Sequence, residues 1–483
     1  MKVQLAFSAC LAMMMLAARA NAMTTCDCDC VLRYLADRAA DLVCLESPDL
    51  TSNNEATTPL DNSLPDWPAG AFTPRVDRAT ISPDPPDRTP IYREVPGIQV
   101  QGRFADDPTR EARFLLRFPN DWNGKLVVAG ASGTRSEFNG DFAWSDFVVQ
   151  KGYAYASQNK GVLNLFVQTM PEGDPLACRL NPVPPFTWLH FYDNDPEKPF
   201  TQWQHFIVRT ARLARGAVHA HYGRGPRHTY AVGTSNGGYQ VRRAIEEAPE
   251  LFDGGVDWEG TFVDPDRNIL IDLPPAIRNM PDYIASGHNP NSPAAQDILA
   301  AGYPPDIVAQ PLTLWERYYL SFWEVTQCQW QKRLDPSYDT YGSGPGNYDY
   351  SERREETDVA EQVAAFQNTG RVRRPLITVA GTMDGLLPID RHARAYAAKV
   401  ASHHHRHGEY RLYEVQNGNH IESYKTFYPQ LELIQPHAQK AFDRLVDHVE
   451  HHRPLPPSQC IPRGDEIRDD PASEHCEQLF VGP

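Results

Sequence analysis

The sequence predicts an α/β protein with a mostly parallel β-sheet, covered by helices on both faces and carrying one large insertion. Apolar segments with the length of strands alternate with longer segments that suit helices, which is typical of a parallel sheet. One strand leads through the G-x-S-x-G pentapeptide at residues 233–237 directly into a helix-compatible segment. The segment 261–374, rich in Trp and Tyr, interrupts the alternation. Because a loop of that length without structure is improbable in a compact domain, this segment predicts an inserted lid.

The N-terminal part precedes the sheet. Residues 1–22 join a basic start, a short apolar run and a small-residue site, which predicts a secretory signal peptide and hence a secreted or periplasmic protein. The apolar residues of 30–44 have the spacing of a short amphipathic helix. Residues 51–96 are rich in Pro, Asp, Asn and Thr, and they predict an extended coil over the domain surface.

The predicted elements of the sheet begin after residue 96. Strands are predicted at 97–104, 113–118, 125–129, 153–157, 229–232, 255–258, 376–380 and 410–415, and helices at 203–222, directly after the pentapeptide, and at 437–451. The predicted organisation is a signal peptide (1–22), an N-terminal segment with a cysteine-containing helix and a Pro-rich stretch (23–96), the first part of the core (97–260), the lid (261–374), the second part of the core (375–455) and a C-terminal tail (456–483). Ligands on such sheets bind outside the carboxyl ends of the strands, so chemistry is expected in the loops that follow them.

Charge and cysteine usage restrict the function classes. The chain has 483 residues and a formal net charge of −16, and so acidic a protein is not expected to bind the phosphate backbone of nucleic acids. One of the nine cysteines lies in the predicted signal peptide, and the even number that remains predicts disulfides in an oxidising compartment. Cys460 and Cys476 could form a local clamp on the tail. The cluster of Cys26, Cys28 and Cys30 could instead hold a metal, but no distant matching cysteine pair accompanies it.

Ser235, at the centre of the pentapeptide, is the predicted nucleophile. A serine hydroxyl is a weak nucleophile unless a sharp strand-to-helix turn presents it beside a base and N–H donors. Gly233 and Gly237 flank it, and the absence of a Cβ at both positions allows so tight a turn. The residue pattern therefore predicts that Ser235 attacks a carbonyl carbon.

Asp384 and His420 are the predicted partners of this serine. The serine needs an imidazole base, and the imidazole needs a carboxylate that fixes its tautomer and stabilises its charged form. In sheets of this kind the acid and then the histidine follow the serine, each on a loop after a strand. Asp384 and His420 each follow a predicted strand and come in that order. Asp257 and Glu259, at the end of another predicted strand, remain alternative acids.

The oxyanion that forms during attack needs two backbone N–H donors. One is predicted to be that of Asn236, directly after the nucleophile. The other is expected from the Gly-rich loop 130–133, with Ala131 preferred and Ser132 as the alternative.

Four segments carry a resemblance to a known family. They are FLLRFPNDWNGK at 114–125, GYAYAS at 152–157, GTSNGGYQ at 233–240 and FDG at 252–254. In these segments the chain resembles the tannase and feruloyl-esterase family of α/β-hydrolases. The resemblance implies an α/β-hydrolase fold with an inserted lid that helps to select the substrate. It also implies a serine esterase with Ser235, Asp384 and His420 as its triad, acting on aromatic esters of the tannin or feruloyl type.

The chain departs from that family at two positions beside the predicted triad. The family usually carries a cysteine directly before the serine and another directly after the histidine, joined as a disulfide, and here these positions hold Thr234 and Ile421. The family lid often holds calcium. The nearest acidic residues, Asp264, Asp266 and Asp272, lack the spacing of a calcium loop, so no metal is predicted.

Several functions remain open. The layout is also similar to that of extracellular hydroxyalkanoate oligomer hydrolases and polyester depolymerases. The pentapeptide resembles that of prolyl-oligopeptidase-type peptidases, although the repeats of a propeller domain are absent from the sequence. A non-catalytic binding protein of the hydrolase fold would commonly lack a member of the triad. The predicted chemistry needs no cofactor, its partner is a small-molecule or oligomeric ester, and no segment is long enough to span a membrane.

Overall fold

The structure is a computed structural model that describes residues 26–57, 82–133, 136–161, 165–167, 188–190, 201–338, 344–403 and 409–482. The predicted signal peptide at 1–22 lies outside the described residues, as do residues 58–81 of the predicted extended coil. Within the described part of the chain, no helix combines the length and the apolar character that crossing a membrane requires.

A ten-stranded mixed sheet forms the centre of the molecule. The strands are β1 (Ala39–Ser47), β2 (Gly97–Phe104), β3 (Arg113–Pro119), β4 (Lys125–Gly130), β5 (Ala154–Gln158), β6 (Leu165–Val167), β7 (Trp188–His190), β8 (His228–Thr234), β9 (Gly254–Trp258), β10 (Leu376–Gly381), β11 (Tyr410–Val415) and β12 (Gln459–Ile461). In the large sheet their order is β1-β2-β3-β5-β4-β8-β9-β10-β11-β12, while β6 and β7 form a separate antiparallel pair. Pairing is antiparallel from β1 to β5 and parallel from β5 to β12, which confirms the predicted fold class.

Helices cover both faces of this sheet. They are α1 (Cys28–Leu35), α2 (Asp146–Val149), α3 (Thr201–Tyr222), α4 (Asn236–Glu247), α5 (Ile269–Ala285), α6 (Pro293–Ala300), α7 (Leu314–Tyr318), α8 (Glu324–Leu334), α9 (Tyr350–Glu356), α10 (Val359–Ala364), α11 (Ala393–Ala401) and α12 (Gln435–His451). Leu126 and Val128 of β4 pack in one core cluster with α3 and α4. Val127 and Ala129 of the same strand pack in the opposite cluster with α2 and α12. Successive side chains thus point to two buried faces, which explains why the strand is a continuous apolar run.

The chain between β9 and β10 forms the helices α5 to α10. The side chain of Asn268 caps the first turn of α5, and a capping box of Thr313 and Glu316 begins α7. The apolar residues of these helices form one core cluster that also takes in Met383, from the loop after β10, and Ile421, from the loop after β11. The inserted segment therefore packs directly on the two loops that carry the predicted acid and base. Its role as a lid stays a prediction.

The prediction of one amphipathic helix over 30–44 is wrong. Helix α1 ends at Leu35, and the apolar residues that follow belong to β1, which pairs antiparallel with β2. The hydrogen-bond partners of an edge strand come from a distant part of the chain, so local spacing does not reveal them. The strands β6, β7 and β12 were also not predicted, whereas the predicted core strands and helices begin and end within two residues of the observed ones.

Disulfides fix both ends of the described chain. Cys26 pairs with Cys30, Cys28 pairs with Cys44, and Cys460 pairs with Cys476. The last pair confirms the predicted clamp on the tail. Because the sulfurs of Cys26, Cys28 and Cys30 are bonded to other cysteine sulfurs and are not thiolates, the alternative metal-binding interpretation of this cluster is wrong.

Candidate active site

Ser235 lies in a strained strand-to-helix turn. It separates β8 from α4 with φ 59° and ψ −121°, a backbone region that residues other than glycine seldom adopt. A Cβ at Gly233 would meet the carbonyl group of Gly237, so the two glycines allow the turn to close. Strain of this kind costs about 1–3 kcal/mol and is concentrated at functional sites. The conformation is therefore the one expected of a serine that a fold presents for chemistry.

Asp384 and His420 are hydrogen-bonded to each other. Oδ2 of Asp384 lies 2.8 Å from Nδ1 of His420, and the two residues are 1% and 3% exposed. The other carboxylate oxygen of Asp384 accepts the backbone N–H groups of Leu386 at 2.8 Å and Leu387 at 2.6 Å. With Nδ1 donating to the carboxylate, Nε2 of the imidazole keeps the lone pair that a base needs.

The backbone after β9 connects the serine turn with the strand that leads to the acid. The N–H of Ser235 donates to the carbonyl of Trp258 at 2.9 Å, and the N–H of Thr261 donates to the carbonyl of Ser235 at 3.4 Å. Between these residues, the N–H of Glu259 donates to the carbonyl of Val379 on β10 at 2.7 Å. Because β8 to β11 are parallel neighbours, the serine turn, the acid loop and the histidine loop all lie at the same edge of the sheet.

Asp257, one of the two alternative acids, has a carboxylate that is hydrogen-bonded within the core. Its carboxylate accepts hydrogen bonds from the guanidinium of Arg242, the backbone N–H of Gly260 at 2.7 Å and the hydroxyl of Thr378 at 2.7 Å. A carboxylate with three donors in a buried ion pair has a structural role.

Glu259, the other alternative acid, lies beside the imidazole. Its Oε1 is 3.6 Å from Nδ1 of His420, so Asp384 makes the shorter contact. Burial raises the pKa of Glu259 well above its ordinary range, and the nearby carboxylates of Asp384, Glu422 and Asp257 raise it further. Both effects favour the neutral form of the Glu259 carboxyl group over its carboxylate.

The Gly-rich loop after β4 packs against the start of α4. A Cβ at Gly130 would lie 2.7 Å from the carbonyl oxygen of Gly237, and a Cβ at Gly237 would lie 3.2 Å from the carbonyl carbon of Ala131. This close approach of two backbones brings Ala131 next to the first turn of the helix. Asn236 opens that helix, and its side-chain oxygen accepts the hydroxyl of Thr261 at 2.8 Å.

Contacts within the same loop distinguish the preferred oxyanion donor of this loop, Ala131, from the alternative, Ser132. The N–H of Ser132 already donates to Oδ1 of Asn139 at 3.1 Å. The buried ammonium of Lys160 donates hydrogen bonds to the carbonyl groups of Ser132 and Gly133. These bonds fix the loop without engaging its backbone N–H groups. Because the amide of Ser132 is engaged inside the loop, Ala131 stays the preferred donor beside Asn236.

Two aromatic residues tie the inserted segment to the loops of the acid and the base. The hydroxyl of Tyr318 donates to Oδ1 of Asn419, the residue before His420, at 2.8 Å. The indole N–H of Trp323 donates to the carbonyl of Gly385, the residue after the predicted acid, at 2.7 Å. The ring of Tyr318 also fills the space that a Cβ at Gly385 would take. The insertion therefore holds both loops in position.

Removing the hydroxyl of Tyr318 is expected to destabilise the protein. Tyr318→Phe leaves Oδ1 of Asn419 buried without its donor, and such a loss costs about 1–3 kcal/mol of unfolding free energy. Urea denaturation measures the change. Tyr303→Phe is the matched control, because the hydroxyl of Tyr303 is equally buried and has no hydrogen-bond partner among the described residues. Equal stabilities of the two variants would show that the Tyr318 hydrogen bond contributes nothing.

The C-terminal tail contacts the same two loops from another side. Thr382, two residues before the predicted acid, donates its hydroxyl to the carbonyl of Leu479. Asn417, three residues before the predicted base, exchanges two hydrogen bonds with the backbone of Val481, at 2.7 and 2.8 Å. The backbone N–H of Asn417 also donates to the Thr382 hydroxyl at 2.9 Å. The tail thus joins the acid loop and the histidine loop in a chain that lacks the family's cysteine pair.

The acidic residues considered for calcium each face a cation of the protein. Asp264 lies 2.7 Å from the ammonium of Lys399, and Asp266 lies 2.8 Å from the guanidinium of Arg354. Asp272 faces Arg391 at 3.8 Å. Carboxylates that point to separate cations do not form a calcium ligand set.

Some contacts of the site were not predicted. Lys160, Tyr318, Asn419 and Thr382 acquire their roles from partners that are distant in the chain. The sequence around a lysine or a tyrosine does not indicate which distant loop its side chain will contact. These contacts therefore could not be predicted from the sequence.

Comparison with known proteins adds a family match in the second half of the chain. The family model described as 3HB-oligomer hydrolase (3HBOH) matches residues 346–475, which include Asp384 and His420. A D-(-)-3-hydroxybutyrate oligomer hydrolase of Burkholderia thailandensis is 33% identical over 98 residues, covering 19% of this chain and 14% of that protein. One of Burkholderia pseudomallei is 32% identical over 118 residues, covering 22% of this chain and 17% of that protein. The matches thus span less than a fifth of the length of these curated relatives.

Solved structures that align with this chain include those of two fungal enzymes. Feruloyl esterase B from Aspergillus oryzae aligns with a TM-score of 0.47 and 11% identity, covering 87% of this chain and 88% of that one. Tannin acyl hydrolase from Aspergillus niger aligns with a TM-score of 0.46 and 11% identity, covering 80% and 88%. The fold itself is that of the α/β-hydrolases, with the serine turn between a parallel strand and a helix and the chain order serine, acid, histidine.

Proposed function

We propose that this chain is a serine hydrolase that cleaves carboxylic esters, with Ser235, Asp384 and His420 as its catalytic triad. The observation that carries the proposal is the 2.8 Å hydrogen bond between buried Asp384 and His420 at the sheet edge where the strained Ser235 turn also lies. An acid that orients an imidazole, at the same sheet edge as a strained serine, is the arrangement that acyl transfer needs.

The proposed reaction has two halves. Oγ of Ser235 attacks the ester carbonyl carbon while Nε2 of His420 accepts the hydroxyl proton, and Asp384 stabilises the imidazolium that forms. The backbone N–H groups of Asn236 and Ala131 bind the oxyanion. Collapse of the tetrahedral intermediate expels the alcohol, which takes its proton from the imidazolium and leaves an acyl ester on the serine. Water, activated by the same histidine, then releases the acid and restores the enzyme, so residues of the chain supply every group that reacts besides substrate and water.

Short oligoesters of hydroxy acids are the substrate class that we place first. The family match to 3HB-oligomer hydrolases covers the segment with the proposed acid and base. Aromatic esters of the tannin or feruloyl type, implied by the resemblance of residues 114–125 and 233–240, are second, because the cysteine pair of that family is replaced by Thr234 and Ile421. Esters are favoured over peptides, because the family match is to an oligoester hydrolase and the peptidase-like pentapeptide is not accompanied by the repeats of a propeller domain.

The proposal places the protein outside the cytoplasm. The N-terminal pattern of a signal peptide and the disulfides among the described residues are both typical of a protein that folds in the periplasm or is secreted.

A fluorophosphonate probe and a substrate panel test the function. The probe should label the purified protein at Ser235, as mapped by peptide mass spectrometry, and labelling should abolish ester hydrolysis. The panel contains a 3-hydroxybutyrate trimer, methyl gallate, methyl ferulate and a peptidyl amide. We expect turnover of the trimer to exceed that of the aromatic esters and the amide. Labelling of another residue, or turnover that survives complete labelling, would refute the proposed mechanism.

Shortening the tail is expected to slow the proposed reaction. A chain that ends at Cys476 keeps the disulfide but removes the partners of Thr382 and Asn417. Because both loops then lose a tether, we expect the rate of Ser235 labelling to fall by about tenfold to 10²-fold. Glu477→Ala, an exposed position in the same tail, is the control and should keep the parental rate. A truncated protein that reacts at the parental rate would exclude a positioning role for the tail.

A further inference from the structure

A second carboxyl group faces the same side of the imidazole as the proposed catalytic acid. Glu259 follows β9 in a conformation with φ 43°, which is unusual for a residue other than glycine. Its Oε1 lies 3.6 Å from Nδ1 of His420, whose hydrogen bond to Asp384 is 2.8 Å long. The residue is 2% exposed. Neither of its carboxylate oxygens makes a hydrogen bond of good geometry among the described residues, although the side chain of Trp258 lies close enough to interact with the carboxyl group.

This environment differs from that of a structural carboxylate. Buried polar groups are nearly always hydrogen-bonded, since burial without a partner is costly. Asp257, only two residues earlier, shows the usual solution, because its oxygens accept three hydrogen bonds. Glu259 lacks such a set of donors, and its carboxyl group lies beside His420, a group that can become a cation. The ionisable groups that face it are Asp384, Glu422, Asp257, His420 and, from the inserted segment, Tyr318.

We propose that Glu259 is a positioning residue for His420, a reserve carboxyl group that holds the imidazole when Asp384 cannot. The inference rests on the proposed function, in which His420 is the base. In the resting enzyme Asp384 alone makes the hydrogen bond to Nδ1. A movement of less than about 1 Å would bring Oε1 of Glu259 within hydrogen-bond distance of the same N–H.

Whether Glu259 can act as a carboxylate depends on the charge of Asp384. Burial is the largest cause that raises the pKa of Glu259, and the charge of Asp384 is the next. Both effects favour the neutral form of Glu259, which avoids two adjacent negative charges. Removing the charge of Asp384 lowers the pKa of Glu259 toward its ordinary range. The reserve carboxylate thus becomes available when the primary one is lost, and its proton passes to solvent.

Replacement of Asp384 tests the proposal. Loss of the acid in a serine triad ordinarily costs about 10⁴-fold in rate. We expect Asp384→Asn to lose only about 10²-fold in the rate of Ser235 labelling by a fluorophosphonate, and we expect this residual rate to rise with pH as Glu259 ionises. Adding Glu259→Gln should remove a further factor of about 10² and the pH dependence with it. A residual rate that is the same with and without Glu259→Gln would overturn the proposal.

Glu422 offers a matched control in the same background. It is also buried, burial raises its pKa to about 8, and its Oε1 accepts the backbone N–H groups of Ile434 and Gln435. We expect Asp384→Asn with Glu422→Gln to keep the residual rate and its rise with pH. If Glu422→Gln also removed the residual rate and its rise with pH, any buried carboxyl group near the site would have this effect. The specific role proposed for Glu259 would then be wrong.

A second measurement applies if Asp384→Asn does not fold. In the otherwise unaltered protein, ionisation of Glu259 at alkaline pH adds a negative charge beside the imidazolium, so the rate of labelling should rise above its neutral plateau. Glu259→Gln should have a lower and flat alkaline plateau, with an unchanged circular dichroism spectrum. Identical pH profiles would overturn the proposal. Either result leaves the proposed function intact, because that depends on whether Ser235 itself reacts with the probe.

Discussion

Ser235→Ala protein is expected to fold normally and to lose ester hydrolysis almost completely. Removing the nucleophile of a serine triad lowers kcat by on the order of 10⁶-fold, because the remaining members cannot form the acyl intermediate. The strain at φ 59° is shared by serine and alanine, which both carry a Cβ, so the free energy of unfolding should change little. Turnover of the 3-hydroxybutyrate trimer and urea denaturation together measure both expectations.

A second buried serine provides the control for this variant. Ser47 is 6% exposed, close to the 7% of Ser235, but it lies at the end of the edge strand β1, at the side of the sheet away from the triad loops. Ser47→Ala should keep the parental kcat. If purified Ser235→Ala hydrolyses the trimer at the parental rate, the nucleophile is another residue and the proposed triad is wrong.

The sheet and the order of the three catalytic candidates could be predicted because their signals are local. Strands buried on both faces are continuous apolar runs, as at β4 and β8, and their ends are marked by glycines or acidic residues. The pentapeptide around Ser235 carries its own turn chemistry. Asp384 and His420 followed from their positions after two such strands, without knowledge of any contact between them.

The contacts that complete the site depend on distant parts of the chain. Strand β1 becomes a strand because β2 offers it hydrogen bonds, and Glu259 meets His420 only after β9, β10 and β11 have aligned. Sequence reasoning treated Glu259 and Asp384 as alternatives for one role. In the folded chain both carboxyl groups lie near the same imidazole, Asp384 at 2.8 Å and Glu259 at 3.6 Å, and burial raises the pKa of Glu259. Such a division of roles is a property of the shared environment and not of either residue type.

Asp141→Asn is expected to cause a large loss of stability. Asp141 and Arg117 form a bidentate pair with distances of 2.7 and 2.9 Å, and both side chains are fully buried. Arg117 lies in the segment 114–125 that carries the family resemblance, and it also binds the side chains of Gln99 and Ser145. Asparagine leaves the guanidinium charge buried without its counter-ion, which costs about 3–5 kcal/mol of unfolding free energy. Urea denaturation measures the loss.

A partly exposed ion pair gives the matched control for that substitution. Asp443 lies 2.6 Å from Lys151, a distance similar to that of the buried pair, but its side chain is 49% exposed. Because solvent screens this pair, Asp443→Asn should change the unfolding free energy by no more than about 1 kcal/mol. Equal losses in Asp141→Asn and Asp443→Asn would show that burial does not set the difference.

Removing both charges of the buried pair separates the cost of an orphaned charge from the value of the contact. Arg117→Met with Asp141→Asn removes both charges of this pair, so we expect the double variant to be more stable than Asp141→Asn alone, even though it has lost more hydrogen bonds. If the two substitutions had additive effects on the unfolding free energy, the double variant would instead be less stable than Asp141→Asn. A double variant less stable than Asp141→Asn would mean that the hydrogen bonds of Arg117 to Gln99 and Ser145 outweigh the burial of its charge. Arg117 would then stabilise the sheet as a hydrogen-bond donor rather than as half of an ion pair.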